Sequence, residues 1–431
     1  MAQPQAGLMR GLFRDRDFRL VAGAVGLSAL GDWVAIVALG LHVKEMTDSG
    51  FAVAALWVCL FGPSVLVAGH IGLLVDRIEA TRLLAAVSAV GVAAAAAVAF
   101  SDALAPVLAL TAVLGVVFAT TQPVEFALVP PLAGEARIQE ANGHIETARY
   151  IGFGVGPLLG GVLFAAGGLE LAMLVDSVTF GFVAVAALTL RVKRHPAELD
   201  PGDRSPRARD GIAFLFGDRL LSLVMTVAFA SLLFMSAVWV AELFFVEDVL
   251  GRGDVSYGAM LSIWTAGMAL GAMLLSRRVA VGAIALVGLA AATVQGAALA
   301  VPALWLSFAF FLACSFVGGV GHGLKNVMFR SLIHVRVPDH LHGRAFAAYN
   351  GIRNTAELGA FAAGGLLVAA IGARGTLAYA GGLSALAGLA GLLALLRIHG
   401  ARAPAGPADL QSGPRLDEEH VGERADLSVG G

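Results

Sequence analysis

Between Arg19 and Arg397 the chain is a succession of long apolar runs joined by short polar segments. A membrane-crossing α-helix needs about 20 consecutive, mostly apolar residues. Twelve runs meet that length: 19–43, 51–74, 82–101, 104–128, 140–166, 170–190, 219–246, 255–276, 279–300, 302–326, 343–371 and 374–397. So much apolar sequence does not fit inside one soluble core. The chain is 58% hydrophobic and only 14% charged, whereas a soluble domain is roughly 25% charged. The first run is too long for the apolar region of a cleaved signal, and further runs follow it. The expected fold is an all-α integral membrane protein of twelve transmembrane helices.

The distribution of basic residues sets an orientation. If the N-terminus is cytoplasmic, the inner segments hold 23 of the 29 Lys and Arg, and the outer loops hold only Lys44, Arg252 and Arg374. That bias follows the positive-inside rule for an even number of spans. Both termini are therefore expected on the cytoplasmic side of the plasma membrane. The 29 basic and 31 acidic residues nearly cancel, so no basic field points to nucleic acid. The two cysteines, Cys59 and Cys314, each lie inside an apolar run and read as small buried hydrophobes.

A break at residues 191–218 divides the runs six and six. RVKRHPAELDPGDRSPRARDG is charged and proline-rich, so 191–218 is read as a cytoplasmic linker between bundles at 1–190 and 219–397. The segment 398–431 has no apolar periodicity and is expected to be a disordered cytoplasmic tail. The halves resemble each other. ANGHIETA (Ala141–Ala148) and YNGIRNTA (Tyr349–Ala356) share N-G-x-x-x-T-A, and each follows a Val-Pro pair, Val129-Pro130 and Val337-Pro338, at one constant offset. Two aligned features indicate a duplicated six-helix unit, a plan used by transporters.

The fifth run carries GFGVGPLLGG, Gly152 to Gly161. At 3.6 residues per turn, Gly152, Gly156 and Gly160 fall on nearly one face, and Ala148 extends it. Small residues at four-residue spacing let membrane helices approach backbone to backbone. Pro157 removes a backbone donor and bends the helix. Such a surface suits either a helix that rocks on a neighbour or static close packing. The eighth run has a matching Gly267-x-x-x-Gly271 patch.

This stretch resembles the antiporter motif, G-x8-G-x3-G-P-x2-G-G, of major facilitator superfamily exporters. Gly143, Gly152, Gly156, Pro157, Gly160 and Gly161 occupy its positions. The resemblance implies two pseudo-symmetric six-helix bundles, and a fifth helix packed against the eighth between the halves. GLLVDRIEATR resembles the family's loop after the second helix, G-x3-D-R-x-G-R-R, through Gly72, Asp76 and Arg77. Its other glycine and basic positions are replaced, and the fourth-helix arginine is absent from LGVVFATTQP. In the family this loop is a cytoplasmic latch between halves. The opening RDRDFRLVAGAVGLSALGDW is similar to the macrolide-efflux and enterobactin-exporter branch. Lysophospholipid transporters have a similar Gly-Asp in their first helix.

Charges inside membrane spans are costly and are usually functional. Asp32 lies about 20 Å into the first run at 1.5 Å per residue, without a basic residue at helical spacing. It is a candidate for proton coupling, for substrate contact, or for a structural hydrogen bond. Glu146 and Arg149 share a face of the fifth run, and Arg353 and Glu357 share one at the equivalent place in the eleventh. They are candidates for neutralising ion pairs, within helices or across the central axis, or for the gating path. Asp176 and Glu242 lie nearer the outer ends of their runs and Glu125 and Lys325 nearer the inner ends, where each could line the cavity or simply reach the interface; none is assigned. Trp33 and Trp239 are candidates for an apolar cavity wall.

There is no phosphate-binding G-x-x-x-x-G-K-[ST] and no H-E-x-x-H, C-x-x-C or G-x-S-x-G. The expectation is a monomeric, non-enzymatic transporter without cofactor or metal. It would export small amphiphilic compounds through the lipid bilayer in exchange for protons, with sodium as the alternative coupling ion. A lipid flippase of the same fold is the alternative, and a membrane-embedded enzyme or sensor is the remote one.

Overall fold

The computed structural model describes residues 11–134, 137–192, 208–338 and 341–400. Among these residues every regular element is helical. The helices are α1 (Arg16–Thr47), α2 (Gly50–Leu66), α3 (Ala68–Arg77), α4 (Ala80–Ala99), α5 (Leu104–Ala133), α6 (Ile138–Thr189), α7 (Ala208–Gly217), α8 (Arg219–Phe244), α9 (Asp254–Leu270), α10 (Ile284–Ala300), α11 (Phe308–Arg336), α12 (His342–Thr376) and α13 (Gly382–Gly400). Short π- and 3-10 segments extend α8, α9 and α10 and join α12 to α13.

Nine segments are long and apolar enough to cross a membrane, and Gly50–Leu66 is a shorter apolar helix. Two of the nine are double-length. α6 is interrupted at Gly167 and Gly168, the latter at φ +63°, and the run from His342 is interrupted at Gly372, at φ +70°. Glycine tolerates that backbone region where side chains do not, so each glycine joins two crossings. Counted on both sides of these breaks, the apolar segments are the twelve expected. The second is itself broken at Val67, between α2 and α3.

The outward surface explains the environment. Val178, Val185 and Leu188 in the second half of α6 are 72%, 62% and 71% exposed. A water-facing helix shows a polar stripe there, whereas a helix that is apolar on its outer face is solvated by lipid. Capping settles the polar ends. The Asp15 carboxylate accepts the amides of Asp17 and Phe18 at the start of α1, and Asp218 accepts those of Leu220 and Leu221 at the start of α8. Burial alone would lift the Asp218 carboxyl. The Leu221 amide, the Arg336 guanidinium at 2.6 Å and the Leu220 amide outweigh it and hold the group below its usual value.

Residues 208–217, the end of the segment read as a linker, form α7. Gly211 of α7 lies so close to the Arg344 carbonyl that a Cβ would not fit, so the end of the linker is docked on the start of α12. The eleventh-to-twelfth hairpin also runs three residues beyond 397, to Gly400. The remainder of the linker, 193–207, and the tail from 401 lie outside the described residues.

Candidate functional site

The glycine stripe determines how the N-terminal helices close around the centre. A Cβ on Gly152 would lie 2.6 Å from the Gly26 carbonyl, and one on Gly156 would lie 2.7 Å from the Leu30 carbonyl. On Gly160 it would lie 2.9 Å from the Val34 carbonyl. Ala148 continues the contact at Gly26. The face of Gly152, Gly156 and Gly160 therefore packs α6 onto α1, inside one half, while another face of the same helix meets the eighth span, α9, between the halves. Pro157, Leu158 and Gly161 are the positions that meet α9. A Cβ on Gly161 would lie 2.6 Å from the Asp254 carbonyl, Gly258 packs against the Pro157 carbonyl, and the Leu158 amide donates to Ser262 Oγ at 3.0 Å. Gly267 and Gly271 face α11 instead, against Phe316 and Val320. Gly143 has open space around its Cβ position.

A cavity of about 360 Å³ lies between the halves. Trp33, Phe61, Phe118 and Phe153 wall it from the N-terminal half, and Trp239, Trp264, Met235 and Leu358 from the C-terminal half. Its polar lining includes Gln122, Glu242, His322, Arg353, Asn354 and Glu357. The volume and mostly apolar wall with few polar groups are those of a small-molecule site. Trp239 is the hub of the aromatic wall, with ring centroids 6.0 Å from Trp33, 5.9 Å from Trp57 and 5.9 Å from Phe361.

Beside it, a pocket of about 20 Å³ is lined by Asp32 of α1 and Asp176 of α6, and shares Ile36 and Phe118 with the larger cavity. Gly31 makes room for this pairing, since a Cβ there would come 2.6 Å from Asp176 Oδ1. The Thr179 hydroxyl donates to Asp176 Oδ1 at 3.3 Å. Asp32 is also within electrostatic reach of Glu125 and Arg149. The arrangement places two carboxyls in apolar surroundings next to a cavity with room for a substrate.

The other charged candidates form local pairs. Arg149 donates to Glu125 at 2.9 Å and to Glu146 at 3.2 Å. Glu125 on α5 is the partner that the sequence did not supply. Arg353 and Glu357 lie 3.7 Å apart on α12. Both pairs stay within their own half rather than crossing the axis. Lys325, 3% exposed, lines a small recess with His322, Asn326 and Arg353. The latch residues Gly72, Asp76 and Arg77 fall on α3, which packs against α2, α4 and α5. The surroundings of Gly72 and the side chain of Asp76 lie outside what the structure describes.

One end of the cavity is sealed between the halves. Lys44 of α1 reaches across to Asp248 at 2.8 Å and Glu247 at 3.1 Å, and lies 3.5 Å from Asp48. Nearby, Gly50 of α2 packs on Val368 and on the Gly365 carbonyl of α12. The α6–α9 contacts at Gly161 and Gly258 lie toward the same end. At the opposite end, the ion pairs Arg137–Glu140 and Arg336–Asp218 each stay inside one half.

The sequence profile of the Major Facilitator Superfamily matches residues 21–360. No match to a curated protein reaches significance. Solved structures match the fold over nearly the whole chain. A variant of the nucleoside transporter NupG aligns with a TM-score of 0.71 at 14% identity, covering 88% of this chain and 99% of that one. A peptide transporter POT in complex with sulfate aligns at 0.69 and 13%, covering 89% and 95%. The human organic anion transporter MFSD10 (TETRAN) aligns at 0.61 and 17%, covering 87% and 99%.

Proposed function

The chain belongs to the Major Facilitator Superfamily, and within it we propose a secondary active exporter of small amphiphilic compounds driven by inward proton movement. The halves rock about the central cavity. The orientation expected from the basic residues puts the Lys44 end outside, so the arrangement with Lys44 bridging the halves is the inward-facing one. A compound entering the cytoplasmic leaflet reaches the aromatic cavity from within. Asp32, beside Asp176, takes up a proton when the outer side is open and releases it toward the cytoplasm. The macrolide-efflux type of exporter is the branch the opening sequence favours.

The observation that carries this reading is the adjacency of the Asp32–Asp176 pocket to the aromatic cavity, through Ile36 and Phe118. Proton binding and substrate binding then act on the same two walls. Coupling in a transporter is a difference in affinity between conformations, and shared walls supply a direct route for it. Cells expressing the protein should accumulate less of an exported fluorescent amphiphile, and a protonophore or Asp32→Asn should abolish the difference. Unchanged accumulation across a broad amphiphile panel counts against export.

A further inference from the structure

We propose that the central cavity binds an organic cation, with its positive centre held between Glu242 and the indoles of Trp33 and Trp239. The assignment names the substrate class for the export reading and rests on it.

Glu242 sits in the last turn of α8 and is 3% exposed, yet its side chain lines the cavity. Among the described residues its carboxylate has no ion-pair or hydrogen-bond partner. An isolated carboxylate in such a place is expensive, so the group either holds a proton or faces a cation. The protein's own cations are committed elsewhere. Lys44, the basic residue at that end, is already shared among Asp48, Glu247 and Asp248. Arg353 belongs to the other end of the cavity and lies 3.7 Å from Glu357. Lys325 sits beside Arg353 in the recess below. The nearby buried Tyr257 offers a neutral hydroxyl only, so a positive partner for Glu242 is left to the ligand.

The aromatic wall fits the same occupant. Trp33 and Trp239 meet edge to face at 6.0 Å with an 89° angle between rings, and both line the cavity with Glu242. Indole faces attract a cation placed within about 6 Å, most strongly where water is excluded. The carboxylate and the indole faces both disfavour an anion at this end. A neutral ligand leaves Glu242 to its proton, whereas a cation takes the proton's place and gains a buried ion pair. A protonated amine, a quaternary ammonium or a phosphonium on an apolar body satisfies the carboxylate, the indoles and the apolar wall together.

The test uses two ions of one shape and opposite charge, tetraphenylphosphonium and tetraphenylborate. Each ion, radiolabelled, is bound separately to the purified full-length protein with protein-free detergent as the blank, alongside transport of cationic and neutral amphiphiles in proteoliposomes. Wild type should prefer the phosphonium by about tenfold or more, a typical return for one buried charge contact. Glu242→Gln should lose that preference, and Glu242→Asp should retain part of it. Equal binding of the two ions, or tighter binding of the borate, overturns the assignment without need of a variant. A Glu242→Gln protein that keeps the full preference also overturns it. Transport of neutral amphiphiles by a protein that ignores the phosphonium removes the cation assignment and leaves the export reading. Selective phosphonium binding without transport of any probe supports the assignment and removes the export reading.

Discussion

A side chain on Gly31 would run into Asp176 of α6: a Cβ there would come 2.6 Å from its Oδ1, and closer still to the Thr179 hydroxyl bonded to that carboxylate. The Gly-Asp pair of the first helix is thus one device. The glycine admits the carboxylate of α6, and the next residue, Asp32, faces the same small pocket. Gly31→Ala should push the two helices apart at this point and impair proton-driven transport more than substrate binding. Transport and phosphonium binding measured on one preparation would separate the two effects, and a parallel loss of both would argue for a general folding defect.

The stripe on α6 makes a sharper mechanical prediction. Gly156→Leu places a branched side chain where even a Cβ would lie 2.7 Å from the Leu30 carbonyl. Overpacking of this kind costs about 1–3 kcal/mol. Gly143→Leu, at a position with open space, should cost about 0.5 kcal/mol or less. Thermal unfolding in detergent, with transport measured in parallel, checks both. Normal stability and transport in Gly156→Leu would contradict the packing assigned to α1 and α6.

Arg149 and Glu125 are predicted to be a structural pair. Removing one partner of a buried pair strands a charge and costs about 3–5 kcal/mol. Glu125 is 2% exposed, so Arg149→Gln should destabilise strongly, and the double change Glu125→Gln with Arg149→Gln should recover much of the loss. A double variant that is stable but inactive would instead place the pair in the transport path.

Lys44 is predicted to hold the cavity shut from its own end. Lys44→Ala removes the bridge to Glu247 and Asp248, and should shift the balance between closed and open by about 1–3 kcal/mol, or five- to 150-fold. The probe is Leu243→Cys, at a fully buried residue, in a background carrying Cys59→Ser and Cys314→Ser. Its labelling by a membrane-impermeant maleimide should rise by at least about fivefold with Lys44→Ala. An unchanged rate would mean that glycine packing at Gly50, Gly161 and Gly258 holds the end closed alone.

Much of the architecture was legible because each crossing is a local property. Run length located the twelve spans, and the gap between 166 and 170 coincides with the break at Gly167 and Gly168. Spacing also placed Gly152, Gly156 and Gly160 on one face. It did not say which helix they would meet, because a glycine stripe specifies a close approach and not a partner. Likewise Arg149 and Glu146 are neighbours along one helix, whereas Glu125 comes from another helix 24 residues away. Asp176 and Glu242 looked peripheral when each helix was measured from its own end. Their surroundings appear only in the fold: Asp176 shares a small pocket with Asp32, and Glu242 lines the central cavity with Trp33 and Trp239. Lys44 counted only as one basic residue in an outer loop, with no signal that Glu247 and Asp248 would reach it.

The central claim is that proton movement through Asp32 drives the substrate. Its most direct test is uptake of a cationic amphiphile into proteoliposomes of defined orientation under an imposed pH gradient. Wild type should accumulate the compound against its concentration gradient only when protons flow the opposite way. Asp32→Asn should lose that accumulation while still exchanging labelled for unlabelled compound. Accumulation that ignores the pH gradient, or an Asp32→Asn protein that accumulates as wild type does, would contradict the account.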